Sequence, residues 1–149
     1  MTHGNVALIL EDDPLVRRAL VRGLLGMGYV CQTASSLVEA KSVAEELALA
    51  IVDIDLPDGS GLAWAELSAE RNPMTTRIFF SATEDTEVIR KASALGDFIP
   101  KADGVGAVLA RAQVLLGRPS SSVPAPPISA PRAAGAPLAP EERKALGGD

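Results

Sequence analysis

Residues 50–61 read AIVDIDLPDGSG: an apolar run ends in Asp53, and Asp55 and Asp58 follow within five positions, among Pro and Gly. An ionised carboxylate at the end of a buried run is costly unless something compensates it, so Asp53 calls for a partner. Three other apolar runs end in comparable chemistry. VALIL (6–10) delivers Glu11, Asp12 and Asp13, RIFF (77–80) delivers Ser81, and DFI (97–99) is followed two positions later by Lys101. Carboxylates converging with a lysine and a hydroxyl suit a hard divalent cation, which takes oxygen ligands, beside a phosphoryl group met by the lysine charge and the serine hydroxyl. Without a cation, carboxylates so close together repel one another. Asp13 also has a purely structural reading as a helix cap, since Pro14 follows at the favoured first helical position.

These side chains meet only if a fold brings the ends of their runs to one edge. Short apolar runs alternate five times with longer amphipathic stretches, the rhythm of a parallel sheet covered by helices. VALIL is the first strand and 14–27 the first helix. YVCQTA (29–34) is the second strand, and Ser36 caps a second helix over 37–47. LALAIVD (47–53) is continuously apolar, as a central parallel strand buried on both faces must be. The third helix runs from about Leu62 to Ala69 and RNP ends it; RIFF is strand four, and 83–95 is helix four with Thr83 as its cap. DFI is a short fifth strand and 105–116 the last helix. In such a sheet the loops leaving the carboxyl ends of the strands gather at one edge, where ligands bind.

The bulk composition narrows the class. A chain of 149 residues, 47% hydrophobic, buries one substantial core. A formal net charge of -5 and five aromatic residues argue against nucleic-acid binding by this chain, which needs a basic face and stacking platforms. The N-terminal apolar run is too short for a membrane span or a signal core, so the expected location is cytoplasmic. The single cysteine, Cys31, excludes an internal disulfide and reads as a buried apolar residue. His3 falls in a terminus expected to fray and reads as inert. From Gly117 the character changes: seven of the eleven prolines lie between Pro119 and Pro140 among Ala and Ser, which predicts a disordered linker or tail over 117–149.

The order of these motifs resembles the receiver domains of two-component response regulators, over about residues 5–116: an acidic pair after strand one, DIDLP with Gly61 eight residues after Asp53, SA after strand four and IPK after strand five. The resemblance implies a CheY-like, flavodoxin-like α/β fold, a doubly wound five-stranded parallel sheet flanked by five helices. It makes Asp53, four residues before Pro57, the phosphoacceptor. It places the acidic pair on Glu11 and Asp12, with Asp12 a direct ligand of Mg²⁺ (or Mn²⁺), Glu11 a water-mediated one, and Asp53 and the backbone carbonyl of Asp55 completing the set. Ser81 matches the switch hydroxyl, Ala82 the small residue beside the phosphoryl group, Lys101 the phosphoryl-pairing lysine and Phe98 the switch aromatic. The implied partners are a sensor histidine kinase or phosphotransfer protein and an unnamed output partner, with a phosphorylation-dependent homodimer compatible with the class. Self-catalysed phosphotransfer and dephosphorylation, rather than enzymatic turnover, is the implied activity, and the face of helix four, strand five and helix five is the one it changes.

The chain departs from the family pattern in two places. Pro100 precedes Lys101 where the family often has Pro after it, and the span from Ser81 to Lys101 is about two residues shorter than usual, so the region of helix four is trimmed. Two other functions compete. DIDLPDGSG also looks like the first motif of haloacid dehalogenase phosphatases, with Asp55 as acid/base, but there the metal-binding acidic pair comes late and here it comes first. A receiver-fold interaction module without a working switch would require the trimmed region to spoil the geometry. Asp58 beside Gly59 reads as a turn-shaping residue.

Overall fold

The computed structural model describes residues 5–43 and 46–117; His3 and the 118–149 part of the expected tail lie outside them. Five strands form one sheet: β1 (Val6–Leu10), β2 (Val30–Ala34), β3 (Leu49–Val52), β4 (Thr76–Ser81) and β5 (Asp97–Pro100), in the order β2-β1-β3-β4-β5, with every pair parallel. The helices are α1 (Pro14–Gly26), α2 (Leu37–Ala40), α3 (Gly61–Arg71), α4 (Thr86–Ser93) and α5 (Val105–Leu116).

Side chains alternate across a strand, so each strand feeds two cores. Ala7, Ile9, Leu49, Ile51, Ile78 and Phe80 face Leu20 and Leu24 of α1 and Val108 and Ala112 of α5. Leu8, Leu10, Ala50, Val52 and Phe79 face Ala40, Leu62, Ala65 and Ala92 of α2, α3 and α4. Covering both faces is why β3 reads as unbroken apolar sequence. Strand order reverses between β1 and β3, and the crevice at their carboxyl ends is the switch point of a doubly wound sheet.

Four details differ from the sequence expectations. Helix α2 is Leu37–Ala40, shorter than the helix expected over 37–47, of which residues 44 and 45 lie outside the described residues; from Lys41 to Val43 the amides bond three residues back, Lys41 to Val38, Ser42 to Glu39 and Val43 to Ala40. Its buried face is narrow, Ala40 with partly buried Leu37 and Val43 while β-branched Val38 is exposed, and the chain tightens into 3₁₀-type turns over Lys41–Val43. Helix α4 begins at Thr86 and is capped by Asp85, whose carboxylate accepts from the amides of Glu87 and Val88; Thr83 instead accepts from the amide of Asp85. Cys31 is half-buried rather than buried, because β2 is an edge strand. A two-pair antiparallel hairpin, Asp55–Leu56 against Gly59–Ser60, fills what sequence alone shows as a loop. Asp13 and Ser36 are the expected caps of α1 and α2. No helix among the described residues is long and apolar enough to cross a membrane.

Candidate functional site

The sheet ladder carries each acidic group past its strand end to the switch-point crevice. The Glu11 amide donates to the Ala34 carbonyl of β2 (2.9 Å), and the Asp53 amide to the Leu10 carbonyl of β1 (2.8 Å). Glu11 and Asp53 are therefore held by strand geometry, and they are only 2% and 5% exposed. Asp12 is exposed beside them, and oxygens of Glu11, Asp12 and Asp53 lie within 4.8 Å of one another. Gly61 sits against the Asp53 backbone so closely that a Cβ there would come within 2.0 Å of the Asp53 carbonyl oxygen, which explains a glycine eight residues after the aspartate.

Lys101, one position past β5, reaches across the crevice. Its Nζ lies 3.0 Å from Glu11 Oε1 and 3.3 Å from Asp53 Oδ2, and 5.5 Å from the centre of the Phe80 ring. The other Asp53 oxygen, Oδ1, accepts from the Asp55 amide at 3.2 Å. Burial pulls the Lys101 ammonium toward a lower pKa, but the hydrogen bond to Glu11 and the charges of Asp53 and Glu11 outweigh it and leave it raised. Glu11 behaves differently. Burial dominates and, with the Asp53 charge, pushes its pKa up to about 7 despite the bonds from Lys101 and from the Asp13 amide. One lysine does not neutralise two buried carboxylates.

That shortfall, and the all-oxygen donor set, fit a divalent cation of the Mg²⁺ type: Glu11, Asp12 and Asp53 would hold it, with the Asp55 carbonyl in the same loop.

Ser81 ends β4 fully buried; Val52 pairs with Phe79 and Ser81 with Pro100, so the residue stands between the ends of β3 and β5, the strands that Asp53 and Lys101 follow. Its Oγ accepts from the Thr83 amide (3.2 Å), leaving its hydrogen to donate elsewhere. Ala82 beyond it is exposed. Phe98 is half-buried against the core shared with α4. Asp55 is exposed.

Two contributors were not foreseen. Arg17 of α1 donates to the Glu11 carbonyl at 2.9 Å and pins the acidic loop; its place one turn past the cap Asp13 is the only sequence signal. Asp58 does more than shape a turn, since its carboxylate accepts from the amides of Leu37 and Val38 at the start of α2.

Residues 7–112 match the family described as the response regulator receiver domain. Among curated proteins, the acid tolerance regulatory protein ActR of Rhizobium meliloti is 31% identical over 131 residues, covering 84% of this chain and 66% of its own length. The photosynthetic apparatus regulatory protein RegA of Cereibacter sphaeroides is 37% identical over 71 residues, 46% of this chain and 38% of its own. A cyclic di-GMP phosphodiesterase of Thermotoga maritima is 32% identical over 96 residues, covering 63% of this chain and 26% of its own length, so the chain spans well under half of the last two relatives. A solved CheY-like receiver domain protein of Methanospirillum hungatei superposes with a TM-score of 0.69 at 24% identity, covering 80% of this chain and 98% of that one, which is evidence of a shared fold.

Proposed function

Because the chain belongs to the response regulator receiver family, with that family's five-stranded α/β fold, we propose that it is a phosphorylation switch whose acceptor is Asp53. The observation that carries this reading is the meeting of Lys101 with Asp53 and Glu11, residues 48 and 90 positions away in the chain, in the switch-point crevice. Residues 5–116 are the receiver unit and 117–149 a linker or tail.

The Asp53 carboxylate attacks the phosphorus of a phosphohistidine on a sensor kinase or phosphotransfer protein, or of a small phosphodonor. An O–P bond forms to Asp53, the P–N or P–O bond to the donor breaks, and the electron pair leaves with the donor. Asp53 is pre-positioned for this by the Asp55 amide on one oxygen and Lys101 on the other. Lys101 keeps its proton throughout, because its neighbours raise its pKa, and donates to the transferring oxygens. A bound Mg²⁺ or Mn²⁺ would supply charge neutralisation for the carboxylates and the phosphoryl group. The Ser81 hydroxyl, already oriented by the Thr83 amide, donates to a phosphoryl oxygen, drawing the end of β4 and the segment before α4 inward. Phe98, half-buried beside α4, follows into the space released, and the face of α4, β5 and α5 changes. The change is a population shift limited by the contacts the phosphoryl group makes in each state. The site is cytoplasmic in this reading, and the output, a protein partner or a phosphorylation-dependent homodimer, lies on that face.

Incubation of the full chain with acetyl phosphate and Mg²⁺, followed by intact mass, tests this. One phosphoryl adduct in the wild type and none in Asp53→Asn supports the switch. No adduct under any condition leaves a receiver-fold interaction module, and sustained phosphate release at enzyme-like rates restores the phosphatase alternative.

A further inference from the structure

The hairpin 55–60 follows directly on the acceptor, and its two ends are fixed. At its start the Asp55 amide donates to Asp53, and at its end the Gly61 amide donates to the Ile54 carbonyl (2.8 Å) while Gly61 packs on the Asp53 backbone. The tip, Pro57 and Asp58, is exposed beyond the Leu56–Gly59 pair, whose Leu56 is buried in the core. Asp58 ties that tip to α2: its two oxygens accept from the amides of Leu37 (2.8 Å) and Val38 (3.1 Å), twenty-one and twenty positions earlier. These bonds hold the Asp58 carboxyl below its ordinary pKa. Gly59, at φ 148°, lies where a Cβ would come within 2.7 Å of Leu37 Cδ1, so the tip and the helix approach closely.

Part of the cap of α2 is local: Ser36 Oγ accepts from the Glu39 amide, and the Glu39 carboxylate reaches back to the amide and hydroxyl of Ser35, while the Leu37 and Val38 amides are left to Asp58. What Asp58 adds is a link between the helix and the hairpin that carries Asp55. We propose that Asp58 is a positioning residue for the cation and phosphoryl site: by clamping the hairpin tip to α2 it fixes where the Asp55 carbonyl stands beside Asp53. This rests on the switch reading above and deepens it, since it makes cation affinity depend on a side chain that touches neither cation nor phosphoryl group.

The test compares Asp58→Ala, Asp58→Asn and Ser36→Ala in the full chain. Mg²⁺ is titrated calorimetrically, acetyl phosphate labelling of Asp53 is timed at low and saturating Mg²⁺, and hydrogen exchange is followed at Leu37 and Val38. Asp58→Ala is expected to free both amides and weaken Mg²⁺ about tenfold, as loss of an outer-shell partner does. Labelling should slow at low Mg²⁺ and recover at saturation. Asp58→Asn, with one acceptor oxygen, falls between. Ser36→Ala loosens the same helix but leaves Mg²⁺ affinity at the wild-type value. The proposal is overturned if Asp58→Ala binds Mg²⁺ like the wild type, or if Ser36→Ala weakens it as much. A wild type that neither binds Mg²⁺ nor takes the phosphoryl group overturns the switch reading itself, a different result from a working wild type that Asp58→Ala leaves unchanged.

Discussion

Glu11 offers the sharpest quantitative check on the site, because its charge is buried without full compensation. It faces Asp53 just past β3, Asp12 beside it and Lys101 after β5, and its pKa rises from 4.5 to about 7. A carboxyl raised on folding binds its proton more tightly in the folded chain, so its contribution to stability is greatest below the unfolded pKa and is lost as pH climbs through about 7. At about 1.4 kcal/mol per pH decade, the span corresponds to roughly 3 kcal/mol between pH 4.5 and pH 8. Glu11→Gln resembles the protonated carboxyl in shape and removes the charge, while Lys101 keeps Asp53 as a partner. In the absence of divalent cations the variant should match the wild type near pH 5. It should exceed it by about 1–3 kcal/mol at pH 8, the lower end allowing for the lost bond from Lys101. Urea unfolding followed by emission of Trp64, the only tryptophan, at several pH values gives the two curves. Added Mg²⁺ should erase the wild-type deficit at pH 8. Curves that stay parallel from pH 5 to 8 would refute the premise that Glu11 ionises against its surroundings.

Three further outcomes follow from the same geometry. Gly61→Ala should cost about 3 kcal/mol in urea unfolding, because its Cβ meets the Asp53 carbonyl oxygen at 2.0 Å and backbone must shift; it should also slow acetyl phosphate labelling. Asp13→Ala removes the acceptor for the Leu15 and Val16 amides and should cost about 1 kcal/mol, read by thermal or urea unfolding, with Asp53 labelling retained. Asp55→Asn keeps the backbone carbonyl but removes an exposed charge two residues from the acceptor, and should lengthen the lifetime of the phosphorylated state by a few-fold in a mass-spectrometric decay series.

Much of this architecture was legible because it is written in local pattern. The apolar period of two, the Pro14 start of α1 and the Asp13 and Ser36 caps each depend on residues within one turn of each other, and each stands where the pattern places it. The convergence of Glu11, Asp53 and Lys101 follows once parallel strands are assumed, since strand ends share an edge. What escaped depends on tertiary context. Thr83 and Asp85 are both competent caps, and the choice fell to Asp85 because the chain leaving Ser81 first makes two hydroxyl-to-amide turns, Ser81 to Thr83 and Thr83 to Asp85. The Asp58 clamp spans about twenty residues and no local motif announces it. Helix α2 stops early because its buried face is narrow, Ala40 with partly buried Leu37. Cys31 is half-exposed because sheet order, invisible in periodicity, puts β2 at the edge.

Asp13, Ser36, Ser60 and Asp85 cap the first turns of α1, α2, α3 and α4. Because these helices return antiparallel to the strands, those first turns lie toward the carboxyl edge where Glu11, Asp12 and Asp53 meet. Each longer helix presents about half a positive elementary charge at its start. The edge that looks acidic residue by residue is therefore ringed by the positive poles of several peptide dipoles, a fixed electrostatic lining that no titration removes. At α1 and α4 that pole is met by a cap carboxylate, Asp13 or Asp85, so the backbone contribution acts within about one turn of each helix start.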